Sequence, residues 1–141
     1  MQTIHWQDCE DIKIDKFPYR GEMHDVVGVS VRDCSLMNVK VLGDDGNGYP
    51  EYGLRLFTIQ PGGYIPIHSH FYHQTMFIQS GEFECWEFDS ETDELKQSKT
   101  VGPGTSVYVP SMMAHGMKNT DSEPGTFLCC ICNVYHDEES I

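Results

Sequence analysis

Residues 62–81 read GGYIPIHSHFYHQTMFIQSG and carry three of the seven histidines in the chain, His68, His70 and His73. The stretch is bounded by glycines and is rich in β-branched and aromatic residues, which is typical of β-strands joined by a turn. Residues two positions apart on a strand point to the same side, so His68 and His70 are expected to present both imidazoles to one face. Two imidazoles on one face form half of a metal site, because neutral imidazole binds zinc, nickel, iron and copper.

The rest of the sequence repeats this pattern of short apolar runs separated by Gly, Pro and Asp turns, with no sustained helical period. Strands are predicted at residues 26–31, 37–42, 52–60, 64–70, 74–79, 82–88, 95–101, 106–109, 114–119 and 126–135. Short strands bury their apolar faces by packing on one another, either as a sandwich or as a closed barrel. We expect an all-β fold, a jelly-roll β-barrel.

Composition excludes several classes of function. The 141 residues include nine Lys and Arg against 22 Asp and Glu, a formal net charge of −13. This charge disfavours nucleic acids and anionic membrane surfaces as partners, because both are bound by clustered basic residues. The N-terminus lacks the basic flank and apolar segment of a signal peptide, and no apolar run reaches the roughly 18 residues of a membrane span. We therefore expect cytoplasmic residence, with the six cysteines as reduced thiols.

A second segment, residues 104–119, completes a pattern that resembles the cupin superfamily. The first cupin motif, G-x5-H-x-H-x3-E-x6-G, is matched by Gly62, His68, His70, Gln74 in place of Glu, and Gly81. The second motif, G-x5-P-x-G-x2-H-x3-N, is matched by Gly104, Pro110, Met112 in place of Gly, His115 and Asn119. Two long motifs in the correct order make the resemblance specific, and it implies one cupin barrel, also called a double-stranded β-helix.

The resemblance also implies a domain organisation and a metal site. Residues 1–36 are interpreted as an N-terminal extension with edge strands, 37–136 as the barrel and 137–141 as an acidic tail. One divalent transition metal (Zn, Ni, Mn or Fe) would be held by His68, His70, Gln74 and His115, and the protein would be a homodimer that binds a small-molecule substrate. Two alternatives remain open: the histidines line a barrel that has lost its metal, or Gln74 hydrogen-bonds a metal-bound water rather than the metal.

Gln74 suggests the kind of chemistry. Three neutral imidazoles and an amide leave the divalent charge uncompensated, so the ion is a stronger Lewis acid and harder to oxidise than one with a carboxylate ligand. We expect a metalloenzyme of the isomerase, cyclase or lyase type that acts on a small oxygen-rich molecule such as a sugar acid, keto acid or polyketide-like phenol. The alternatives are a cupin dioxygenase with a redox metal and a non-catalytic small-molecule binding module.

Two further residues are candidates for moving a proton. Tyr64 shares strand parity with His68 and is expected to face the interior, where it could reach substrate or be an ordinary core residue. His73 is expected to face outward, unless a bulge re-aims it as a general base or an extra ligand. Cys129 and Cys132 lie three apart on a strand and face opposite sides, so they are interpreted as inert thiols.

Overall fold

The computed structural model describes residues 1–36, 40–42, 48–50 and 52–132, and the acidic tail predicted at 137–141 lies outside these ranges. Apart from a short 3-10 helix at Trp6–Asp8, the regular elements of this part of the chain are strands. Their bounds are β1 Asp11–Tyr19, β2 Glu22–Asp33, β3 Lys40–Leu42, β4 Gly48–Pro50, β5 Tyr52–His68, β6 His73–Ser80, β7 Phe83–Phe88, β8 Leu95–Val101, β9 Ser106–Val109, β10 Ala114–Asn119 and β11 Gly125–Cys132. No helix within these ranges is long and apolar enough to cross a membrane.

Nine of the strands form one sheet, which curls into the predicted jelly-roll. Seven of them follow the order β8-β7-β10-β5-β11-β6-β9, while β1 pairs with β2 and β2 pairs with β5. All these pairings are antiparallel, and the short β3 and β4 form a separate pair. The all-β jelly-roll expectation is therefore confirmed.

Strand β5 is longer than the sequence suggests. The Pro61-Gly-Gly segment was expected to separate two strands, but the structure has one continuous strand, Tyr52–His68, that bends there. Gly62 has a φ of 74°, and a Cβ on Gly63 would lie 2.6 Å from the Val27 carbonyl oxygen. Because the two glycines allow this bend beside β2, one half of β5 pairs with β11 and the other half with β10.

The N-terminal hairpin contains β1, which lies in the predicted N-terminal extension with edge strands, although its bounds were not predicted. β1 pairs with β2, and β2 pairs along β5, so the hairpin lies on the outer edge of the barrel wall. The segment before β1 is fastened at Cys9, whose Sγ lies 3.1 Å from Sγ of Cys34. The Arg32 guanidinium also donates a hydrogen bond of 2.6 Å to the Cys9 carbonyl oxygen.

The core lies inside the curled sheet and follows strict alternation on its inner strands. On β6 the side chains of Met76 and Ile78 are buried, while Phe77 between them is 44% exposed. On β11 the buried positions are Gly125, Phe127, Cys129 and Ile131. Phe127 stacks on Phe57 with ring centroids 5.0 Å apart. Several of these inward-facing residues, including Phe57, Met76 and Phe127, also line a cavity inside the curled sheet.

Candidate metal centre

Three histidines from two strands and one loop meet in this cavity. His68 is the last residue of β5, and its partner in register on β10 is His115. The predicted strand at residues 64–70 ends at His68 in the structure. His70 therefore lies in the loop between β5 and β6. One nitrogen from each of the three side chains lies within 4.8 Å of the others, a group that could hold a metal ion. The three imidazoles expected to converge are thus brought together.

Hydrogen bonds fix the orientation of each imidazole. The Nδ1 atoms of His68, His70 and His115 lie 2.9, 2.7 and 2.8 Å from the carbonyl oxygens of Pro66, Tyr72 and Met113. Each Nδ1 therefore carries the proton and donates it, which leaves the lone pair on Nε2. This is how metal-binding histidines are held in proteins.

One buried nitrogen supports the fit of a metal to this donor set. Nε2 of His70 is inaccessible to solvent and has no hydrogen-bond partner within the described ranges. A buried polar atom without a partner costs free energy, and most such atoms in native proteins are satisfied. An ion bound by Nε2 would satisfy it, so the residues present fit a divalent metal.

Aromatic side chains support the outer faces of two of these rings. Phe17 of β1 stacks on His68 with centroids 5.0 Å apart and an interplanar angle of 18°. Tyr72 stacks on His70 at 4.0 Å and 14°. The imidazoles of His68 and His70 are thus restrained by stacking on the ring face and by the hydrogen bond from Nδ1. Because they are already oriented, they lose less conformational entropy when they bind a ligand.

Burial keeps the three imidazoles neutral. Desolvation lowers the pKa of His68, His70 and His115, and the neighbouring imidazoles lower the values for His70 and His115 further. For His70 the pKa falls to about 4. The ligand form of each ring, with a free lone pair, is therefore populated well below the ordinary histidine pKa of 6.5.

These shifts predict a pH dependence for protein stripped of metal by a chelator. A histidine with a depressed folded pKa binds its proton more readily when unfolded, so it stabilises the fold above the unfolded pKa of 6.5 and less as pH falls. The melting temperature is therefore expected to fall as the pH is lowered from 6.5 to 4.5. Below this range the Glu84 carboxyl, whose ordinary pKa is 4.5, also contributes. Thermal melts followed by circular dichroism measure this, and His70→Gln should show a shallower fall. A flat profile in both proteins would contradict the neutral buried cluster.

Gln74 lies beside the histidines but presents its nitrogen to them. It is 8% exposed, its Nε2 lies 3.3 Å from Nε2 of His115, and its Oε1 accepts a hydrogen bond of 3.1 Å from the Cys129 thiol. Because His115 donates from Nδ1, its Nε2 accepts from the amide group, and this network assigns the amide orientation. Coordination through Oε1 would require the amide to rotate, whereas a hydrogen bond to a metal-bound water would not.

The surrounding cavity is large enough for a small organic ligand. Its volume is about 470 Å³, within the usual range for ligand pockets. The N-terminal hairpin forms one wall, through Ile12, Ile14 and Phe17, which makes residues 1–36 part of the site. The polar lining includes Arg55, Tyr72, Asp33 and Ser69 beside the three histidines, Gln74 and Cys129.

Tyr64 is not among the residues that line this cavity. Strict alternation backward from His68 places Tyr64 inside, but the pairing between β5 and β10 is irregular. Between the pairs His115–His68 and Met117–Ile65, β5 advances three residues while β10 advances two. The extra residue is a bulge that reverses the alternation, so Ile65 is buried and lines the cavity instead.

His73 also lies away from the cavity lining. It opens β6 in register with Cys132, and its Nδ1 lies 3.0 Å from the hydroxyl oxygen of Tyr108 on β9. The two rings meet edge to face at 5.9 Å. The geometry therefore brings neither Tyr64 nor His73 to the histidine cluster, and a catalytic role for either stays a prediction without geometric support.

Four residues at this site were not predicted to lie there: Phe17, Arg55, Tyr72 and Cys129. For Cys129 a signal was present, because it alternates with Phe127 and Ile131, two apolar residues of the same inner face. Its burial raises the pKa of the thiol to about 12, so it is a protonated hydrogen-bond donor to Gln74. Phe17 and Tyr72 carry no signal in the sequence, since the hairpin and the loop place them by tertiary packing alone.

A curled antiparallel sheet with a three-histidine group that could hold a metal ion defines a small β-barrel with a candidate metal site. The model of the family described as "Cupin domain" matches residues 55–131, more than half of the chain. The chain belongs to this cupin family. No curated protein matches the sequence.

Solved structures show the same fold at low identity. The polyketide cyclase RemF from Streptomyces resistomycificus is 19% identical, with a TM-score of 0.64 over 98% of this chain and 88% of that one. An RmlC-like cupin from Shewanella frigidimarina is 15% identical, with a TM-score of 0.63 over 100% and 96%. The Bacillus subtilis oxalate decarboxylase, which has Mn(II) centres, is 22% identical, with a TM-score of 0.58 over 77% of this chain and 27% of that one.

Proposed function

We propose that this cupin is a mononuclear metalloenzyme that uses Lewis-acid chemistry on a small oxygen-rich molecule, in a reaction of the isomerase, cyclase or lyase type. The observation that supports it best is the set of three imidazoles, each donating from Nδ1 to a backbone carbonyl and each with its lone pair on Nε2. A buried, pre-oriented donor set beside a ligand-sized cavity is the arrangement that metal catalysis requires.

In this proposal His68, His70 and His115 hold the ion, and Gln74 completes the set through Oε1 or through a bound water. A divalent ion (Zn, Ni, Mn or Fe) bound there would polarise a substrate oxygen and lower the pKa of the adjacent C–H or O–H group. The described residues of the cluster supply no carboxylate, so the donor set itself brings no negative charge. An anionic substrate is therefore favoured.

The chain's own residues orient the substrate and hold a proton. The apolar wall made by Ile65, Met76 and Phe127 excludes water from one side of the cavity. Burial raises the pKa of Tyr72, so its hydroxyl keeps its proton near neutral pH. Tyr72 lines the cavity beside His70, which makes it a better candidate for moving a proton than Tyr64 or His73.

Metal analysis and oxygen uptake test this proposal against its alternatives. Untagged protein is expected to contain about one equivalent of zinc or nickel and to consume no oxygen when incubated with keto acids, sugar acids and phenols. Redox-active iron together with substrate-dependent oxygen uptake would favour the dioxygenase. Stoichiometric metal with ligand binding but no turnover of any compound in the screen would favour the binding module. Protein that takes up no divalent metal would contradict both the proposed metalloenzyme and the dioxygenase.

Gln74→Glu tests the role of the amide. The added carboxylate is expected to tighten Zn²⁺ binding by about tenfold or more, because an opposite charge in a partly buried site adds more than about 1 kcal/mol. Competition with a chromophoric chelator measures the dissociation constant. Gln79→Glu on the exposed face of the same strand is the matched control and should leave it unchanged. Equal affinities in all three proteins would show that position 74 does not face the ion.

The proposal also includes the cellular compartment and the oligomeric state of the protein. We place the protein in a reducing compartment such as the cytoplasm, where its cysteines would stay free thiols. A homodimer is supported by exposed apolar side chains on the two end strands of the sheet, with Leu95 of β8 56% exposed and Tyr108 of β9 58% exposed.

A further inference from the structure

We propose that Arg55 anchors a carboxylate of the substrate, so that the ligand of this cavity is a small monocarboxylate with an apolar body and a second oxygen at the histidine end. The inference rests on the proposed function, which assigns the cavity to the substrate. It goes further by naming the chemical class of that substrate and the residue that selects it.

Arg55 is a basic side chain in the cavity lining, and it forms no ion pair with any residue that the structure describes. Four ion pairs within 4.0 Å occur among the described residues, and they engage Lys16, Arg20, Arg32 and Lys96 at the surface. Arg55 is partly buried and is in none of them, although the chain carries 22 acidic residues. A guanidinium placed in a pocket without a paired carboxylate is suited to bind one from a ligand.

Asp33 is the acidic residue nearest in register, but its hydrogen bonds lie elsewhere. Asp33 faces Arg55 across the β2–β5 pair and lines the same cavity. Its Oδ1 accepts a hydrogen bond of 3.0 Å from the Ser35 backbone nitrogen and another from the Ser35 hydroxyl. The carboxylate is thereby turned toward the backbone after β2, and the Arg55 guanidinium packs over the Tyr72 ring instead, with Cζ 5.9 Å from the centroid.

Tyr72 connects Arg55 to the histidine cluster. The Arg55 guanidinium is 5.9 Å from the Tyr72 ring, and that ring is 4.0 Å from the ring of His70. The guanidinium therefore lies at most about 10 Å from the centre of the His70 ring, which is within the reach of a small ligand held at both ends. A carboxylate at Arg55 and an oxygen at the histidine end can therefore belong to one small ligand.

The remaining lining selects against a sugar-like body. The apolar part of the lining, which is the larger part, includes Ile14, Val31, Phe57, Met76 and Phe127. A polyhydroxylated chain would leave hydroxyl groups without partners against these side chains, at a cost of about 1–3 kcal/mol each. Among sugar acids, keto acids and phenols, the cavity therefore fits best a keto acid with an alkyl or aryl substituent.

Calorimetry with phenylpyruvate and its methyl ester tests the charge requirement on zinc-loaded protein. Wild type is expected to bind the acid at least about tenfold more tightly than the ester, which matches the contribution of one charge-assisted contact. Arg55→Met should weaken binding of the acid by about 10- to 100-fold and remove the preference, while Arg55→Lys retains part of it. Arg20→Met, a surface arginine paired with Asp93, is the matched control and should bind like wild type.

Repeating the titrations without metal separates this inference from the proposed function. The probe 3-phenylpropionate lacks the 2-oxo group, so its binding should not need the metal. Metal-free wild type should therefore still bind it more tightly than metal-free Arg55→Met. In one outcome, zinc fails to strengthen phenylpyruvate binding while Arg55→Met still weakens that binding. This result would contradict the proposed metal chemistry and would support the role of Arg55 in binding the carboxylate. Three results would overturn the proposed role of Arg55. They are equal binding of acid and ester, an unchanged preference for the acid in Arg55→Met, and no binding of either probe at millimolar concentration.

Discussion

Replacing His115 with alanine is expected to abolish stoichiometric metal while the barrel stays folded. His115 is 6% exposed and lies at the centre of the cluster, with its ring 4.2 Å from that of His68 and 4.8 Å from that of His70. Loss of one of three imidazoles should lower zinc affinity by more than about 100-fold, since even residues that only support a ligand cost about 10- to 100-fold. Metal content after dialysis and chelator competition measure the effect, and circular dichroism confirms the fold.

His73→Ala is the matched control for this variant. His73 is close to the cluster in sequence, but its ring faces Tyr108 rather than the cavity. It should keep a full equivalent of metal. Full occupancy in His115→Ala, or equal loss in both variants, would contradict the ligand set.

Phe83→Ala is expected to destabilise the protein by about 3–5 kcal/mol, the usual cost of removing a large aromatic side chain from a packed core. Phe83 is fully buried, with its ring edge to face against Phe127 at 5.6 Å. On its other side, a Cβ on Gly125 would lie only 2.4 Å from its Cζ, so the aromatic ring fills the space that this glycine leaves. Because neither the backbone nor the Phe127 ring can collapse into the void, most of the cavity should persist.

Chemical denaturation at equilibrium measures the free energy of unfolding for Phe83→Ala and for Phe77→Ala as its control. Phe77 lies on the outer face of β6 and is 44% exposed, so its truncation should cost less than about 1 kcal/mol. Metal should be removed from all samples, because a ligand that binds only the folded state adds to the measured stability. Similar losses in both variants would show that the core is not where the structure places it.

Much of the fold is encoded locally and was predictable. The alternation of Gln74, Met76 and Ile78 with exposed residues identifies the inner face of β6, and the same holds for β11. Because alternation depends only on strand geometry, a single sequence suffices to place Gln74 beside the core. The paired motifs then identify His68, His70 and His115 as residues that meet.

The errors arise where tertiary contacts override local geometry. The bulge in β5 reverses the inside and outside positions between His68 and Ile65, which removes Tyr64 from the cavity. Its cause is on another strand: a Cβ on Gly116 of β10 would lie 2.7 Å from the Ile65 carbonyl oxygen, so the two backbones approach closely there. A reading of β5 alone cannot detect this contact.

The same limit explains the residues that were missed. The bounds of β1 were not predictable because its charged sequence, with Lys13, Asp15 and Lys16, resembles a solvated segment, and pairing with β2 makes it a strand. Phe17 then reaches His68 through that pairing. The direction of the Arg55 side chain was not predictable either, since it depends on how β5 pairs with β2 and β11.

Anomalous scattering from crystals grown with saturating Zn²⁺ tests the central claim most directly. Data collected on both sides of the zinc absorption edge are predicted to show a single strong peak in the barrel, bonded to Nε2 of His68, His70 and His115. The Nδ1 atoms should keep their bonds to the carbonyl oxygens of Pro66, Tyr72 and Met113. No peak among these imidazoles, or a zinc ion bound only to surface carboxylates, would contradict it.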